Sequence, residues 1–169
     1  MKTFSISFYV LIMELGDYMT YDELLEEADT LGLIVKDKHL LANDGRIKGN
    51  KIAIKKELNS VEKNCVLAEE LGHYYTTSGT IIDMTNESNL KQETRARLWS
   101  YNKLIGIRGI ISAYEAGCKN KYEMAEYLNV TEEFLEEAIK KYTSKYGAFA
   151  ELDNYIIYFM PNLGVMKLI

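Results

Sequence analysis

Proline is almost absent from this chain: one in 169 residues, beside eleven glycines, leaves no composition for a long flexible linker. Cysteine is scarce too. The two present, Cys65 and Cys118, stand far apart without C-x-x-C spacing, which fits reduced thiols better than a disulfide framework. Histidine is as rare, with only His39 and His73, so a metal site made of imidazoles alone is excluded; His39 sits in a polar stretch and reads as a surface residue. There is no basic excess. A net charge of −5 argues against general affinity for nucleic acid, which requires compensating Lys and Arg. The apolar run from Phe4 to Met13 is too short to span a bilayer. It lacks an Ala-x-Ala-like cleavage site and leads into Glu14, Asp17 and Asp22, so neither export nor a membrane anchor is expected; alternation at Phe4, Ile6 and Phe8 suits a strand. A Gly-rich phosphate loop, a Ser-His-Asp arrangement and internal repeats are all missing.

What is present is a globular composition, 47% hydrophobic and 27% charged, with length for one ordinary core or for a small catalytic domain and a helical module. The most informative stretch is Glu69-Glu70-Leu71-Gly72-His73. It reads as the zinc-protease pattern H-E-x-x-H with glutamate in place of the first histidine. Ligands at i and i+4 share one helix face, and the Glu at i+1 can reach a metal-bound water. Carboxylate oxygen is an acceptable zinc ligand. Asn59-Ser60 supplies an N-cap and Glu62 an acidic first turn, while Val61, Cys65, Ala68 and Gly72 recur at helical spacing, so a helix is expected from about Val61 to Thr76. Gly72 costs a helix interior roughly 1 kcal/mol. It implies either close approach of another backbone or metal site, or a helix break.

A third ligand is sought downstream, where Glu93, Ala96, Trp99 and Ser100 recur on one face of a second helix. These two segments together resemble the ImmA/IrrE family of metallo-endopeptidases, common in phages and mobile elements: Val66 to His73 matches the family's first helix, and Glu93, Ala96, Trp99 and Ser100 match its E-x-x-A-x-x-aromatic-small pattern. The resemblance spans Thr20 to about Ile105. It implies a small zincin-like core in which zinc (Zn2+) is held by His73, Glu93 and the substitute ligand Glu69, with Glu70 as general base. It also implies a protein substrate, a transcriptional repressor that silences a mobile element. Two carboxylates would leave the zinc less Lewis-acidic than two imidazoles, so weak activity or a shift to higher pH is expected. The rival expectation is a protein that kept the fold, lost the metal, and acts by holding a repressor or other partner.

Along the chain, Thr20 and Glu23 form a capping box opening a helix through about Leu31, with Leu24, Leu25, Ala28 and Leu31 as its apolar stripe. Leu33 to Val35 reads as a strand, Asn43 to Arg46 as a turn and Lys51 to Lys55 as an alternating strand. Such strands ahead of an active-site helix can hold extended substrate at an edge, or merely cover the helix.

Met124, Ala125, Leu128, Val130, Leu135 and Ala138 have helix-turn-helix spacing, with Asn129 at the left-handed turn position and Thr131 capping the second helix. Glu132, Glu133, Glu136 and Glu137 would face phosphates there, so a packing or protein-binding unit is expected rather than a DNA reader. Tyr155 to Phe159 and Val165 to Ile169 read as a C-terminal β-hairpin. The sequence thus predicts a cytoplasmic α+β protein: an N-terminal extension at 1–18, a metallopeptidase-like core at 19–105, a helical module at 106–147 and a hairpin at 148–169.

Overall fold

The computed structural model describes residues 19–76 and 86–168, so the N-terminal extension, the alternation at Phe4, Ile6 and Phe8, and Ile169 lie outside the described residues. Thr20 and Glu23 close the predicted capping box, and helix α1 runs Tyr21–Thr30. Leu24 and Ala28 are fully buried, with Leu25 and Leu31 packed against the same core. Gly32 takes a left-handed φ of 72° and turns the chain into the first sheet.

That sheet has strands β1 (Ile34–Lys38), β2 (Gly45–Lys48) and β3 (Lys51–Lys55) in the order β1-β3-β2. β1 lies parallel and β2 antiparallel to the central β3. The turn expected at Asn43 to Arg46 sits elsewhere: Gly45 and Arg46 already belong to β2, and the reversal falls at Gly49, φ 60°. Alternation in β3 buries Ile52 and Ile54, and this face packs on helix α2 (Ser60–Thr76).

Asn59 and Glu62 cap α2 reciprocally: Asn59 Oδ1 accepts from the Glu62 N–H at 2.9 Å, and Glu62 Oε2 accepts from the Asn59 N–H at 2.8 Å. Helix α3 (Asn86–Leu104) crosses α2 where Gly72 sits. A Cβ built on Gly72 would lie 2.4 Å from the Ala96 carbonyl oxygen, a backbone atom. Since α2 continues to Thr76, Gly72 is there for close backbone approach and not to break the helix.

Helix α4 (Gly106–Glu115), which opens the stretch expected to be helical, buries Ile110, Ile111 and Ala113. α5 (Lys121–Tyr127) and α6 (Glu132–Tyr146) then form the expected helix pair. Asn129 takes φ 52° between them, and Thr131 Oγ1 caps α6 by accepting from the Phe134 N–H at 3.1 Å. The buried Asn64 of α2 joins this turn to the start of the chain: its Nδ2 donates to Met19 O at 3.0 Å and to Asn129 O at 2.9 Å.

The predicted C-terminal hairpin is two-thirds of a larger unit. β4 (Phe149–Leu152), β5 (Tyr155–Tyr158) and β6 (Gly164–Lys167) make an antiparallel meander with β5 in the middle. Tyr155, Ile157 and Phe159 are buried, and the sheet packs on α4. Helices and two small sheets together give the expected α+β class. No described helix is long and apolar enough to cross a membrane.

Candidate active site

Close packing of α2 on α3 at Gly72 and Ala96 sets the geometry of the polar cluster beside it. His73 follows Gly72 directly, and Glu93 lies three residues before Ala96, one turn back along α3. Their side chains meet: His73 Nε2 is 3.3 Å from Glu93 Oε2. Glu69, one turn before His73 on α2, is partly buried. Burial pushes its carboxyl above the usual range, Arg97 pulls it down, and Glu93, Glu137 and Asp44 push it up again. Among the described residues, no three His, Cys, Asp or Glu side chains are gathered as a ready set of metal donors. The structure therefore brings His73 and Glu93 together and leaves Glu69 outside that pair.

Glu70 is buried and faces β2. A Cβ on Gly45 would lie 2.6 Å from Glu70 Oε1 and 2.5 Å from Val66 Cγ1. Any larger residue at this point of the strand would have to displace Val66 and the Glu70 carboxylate. Burial pushes the Glu70 carboxyl up to about 7; the Ile47 backbone N–H opposes this by binding it, while Glu69 and Glu93 add to the rise. A carboxyl that titrates near neutrality can both take and return a proton.

Three further residues, none of them part of the metal motif, complete the cluster. Arg97 donates from Nε to Glu93 Oε1 at 2.7 Å and from Nη1 to Glu137 Oε2 at 2.8 Å. The bond to Glu93, then the charges of Glu69 and Glu137, hold the guanidinium firmly in its charged form. Tyr101 donates its hydroxyl to the same Glu137 oxygen at 2.8 Å, and burial followed by this bond raises its pKa. Arg97 carries a sequence signal in its i+4 position from Glu93. Glu137 carries none, being forty positions from Arg97. Of the four glutamates expected on one open face of the helical pair, Glu137 thus turns toward the cluster, Glu136 pairs with Lys121 at 3.0 Å, and Glu132 and Glu133 remain exposed. His39 is exposed, pairing with Glu57, and both cysteines are free thiols.

A family model described as Peptidase_M78, IrrE N-terminal-like domain, matches residues 18–140. Neither the curated proteins nor the solved structures gave a match.

Proposed function

Because the chain belongs to the Peptidase_M78 family of IrrE N-terminal-like domains, we propose that it is a zinc-dependent endopeptidase with a zincin-like core. The observation that carries this reading is the 3.3 Å separation of His73 Nε2 and Glu93 Oε2 across two helices. Two ligands of one tetrahedral zinc, each at 2.0–2.2 Å, stand roughly 3.3–3.6 Å apart. These two donors fit such an ion in spacing and in chemistry; Glu69, on the same face of α2 as His73 but outside that pair, would have to turn toward it to supply the third donor. Zinc bound there would acidify a water and polarise a peptide carbonyl.

The chain's own residues do the rest. Glu70 accepts the attacking water's proton and returns it to the departing amine, a task matched by a pKa of about 7. Gly45 leaves room for its carboxylate, and the Ile47 N–H fixes it. β2 is an edge strand, so an extended peptide can pair beside Glu70 by strand addition. We take the substrate to be a transcriptional repressor of a phage or other mobile element, met in the cytoplasm.

A second reading is favoured by Arg97, whose fixed positive charge already serves Glu93 and Glu137. In it the guanidinium stands in for the metal's charge, and the protein holds its partner without cutting it. Elemental analysis after zinc saturation and desalting separates the two. One zinc per chain, lost in Glu93→Gln and retained in a cleavage-dead Glu70→Gln, is the expected result. No zinc in the wild type but one in Arg97→Ala would establish the non-catalytic reading.

A further inference from the structure

The outer face of the first sheet is as basic as the polar cluster is acidic. Register places Lys51 between Ile34 and Lys48, and Ala53 between Lys36 and Arg46, in two rows across the three strands. Lys38 continues the series beside Lys55. Lys36, Lys38, Arg46, Lys48, Lys51 and Ile34 line a hollow of about 620 Å³. Side chains alternate along a strand, so the one acid of β1, Asp37, belongs to the opposite face with Ile54 and is bound there by Lys63 of α2 at 2.6 Å. Among the described residues, Lys36, Lys38, Arg46, Lys48 and Lys51 form no ion pair, while Lys55, beside Lys38 on the same sheet, pairs with Asp44 at 3.0 Å.

Five uncompensated cations crowded on one face repel one another and attract a ligand of opposite charge. We propose that this face binds an acidic segment of a protein partner, with carboxylates seated against Lys36, Arg46, Lys48 and Lys51. The spacing suits a peptide: same-face residues along a strand are about 6.6–6.8 Å apart and neighbouring strands about 4.8 Å apart, so alternate acidic side chains of an extended segment meet successive cations. Nucleic acid fits less well. The hollow has no aromatic ring for base stacking, and a duplex would run on from this small basic island over a chain whose net charge is −5. The surface stands whether or not the protein cleaves anything.

The test uses the whole chain and three labelled probes: a short peptide of alternating Glu and Ser, its Gln-Ser counterpart, and duplex DNA of matched charge. Fluorescence anisotropy should show saturable binding of the Glu-Ser peptide alone, weakening as salt rises. Charge reversal in Lys36→Glu with Arg46→Glu should weaken it about tenfold or more, as should the milder Lys48→Gln with Lys51→Gln, each at an unchanged melting temperature. Equal binding of the Gln-Ser peptide, tighter binding of the duplex, or no binding of any probe at low salt would overturn the proposal. The wild-type comparison decides it even where a variant fails to fold.

Discussion

Glu70 concentrates the chemistry of the cluster in one titration, and that titration has a sign. Its folded-state value of about 7 lies above the ordinary 4.5, so the folded chain keeps a proton that the unfolded chain releases between those values. Stability of the metal-free chain must therefore fall as pH rises from about 4.5 to about 7 and then level off, by up to about 3 kcal/mol from this residue. Glu69, also pushed up by burial, adds a loss of the same sign. Glu70→Gln removes the larger share: its melting temperature should exceed the wild type's by several degrees at about pH 8 and match it at about pH 4. Identical profiles for the two proteins would mean that Glu70 is not desolvated. If the chain cleaves by the proposed mechanism, Glu70 must be ionised, so the rate should climb through about pH 7, the end of the range in which stability is lost. Arg97 shows the limit of motif reading at this scale, because the charge that balances the cluster comes from a residue type that zinc motifs do not contain.

Among the elements, α2 was legible because its pattern is local: an Asn59 cap, apolar positions at helical spacing and the Glu69 to His73 motif specify one helix. The left-handed Asn129 and the Thr131 cap were legible for the same reason, as each depends only on adjacent residues. β2 was not. Asn43-Asp44-Gly45 carries strong turn chemistry, yet Gly45 lies within a strand and packs closely against Glu70, a contact visible only in three dimensions. β4 was hidden similarly, since pairing with β5 makes its half-exposed Phe-Ala-Glu-Leu a strand. The contact of α2 with α3 yields a prediction at this scale. Gly72→Ala gains helix propensity of about 1 kcal/mol but drives a methyl onto the Ala96 carbonyl, 2.4 Å away. Overpacking of that kind typically costs 1–3 kcal/mol. The helices should separate slightly, lowering the melting temperature by a few degrees and weakening the zinc uptake proposed at the His73–Glu93 pair. A variant with wild-type melting and metal content would show that the crossing has slack.

For the whole molecule, the resemblance read from the sequence covered Thr20 to about Ile105 with a helical module beyond it, and the family model matches residues 18–140. Asn64 bears on where such a chain can come apart. Its side chain is fully buried and serves carbonyls at both Met19 and Asn129, so opening the α5–α6 turn strands a donor inside α2 at a cost of about 1–3 kcal/mol. Local opening is thereby penalised on both sides of the supposed boundary. Amide hydrogen exchange should find α2 and the start of α6 protected to similar depth, and Asn64→Ala should lower protection in both. Selective loss in α6 alone would mark the module as an independent unit. If the two exchange together, the helical pair is no detachable accessory: a tug on its surface by a bound partner would be felt in the backbone of the helix that carries Glu69, Glu70 and His73.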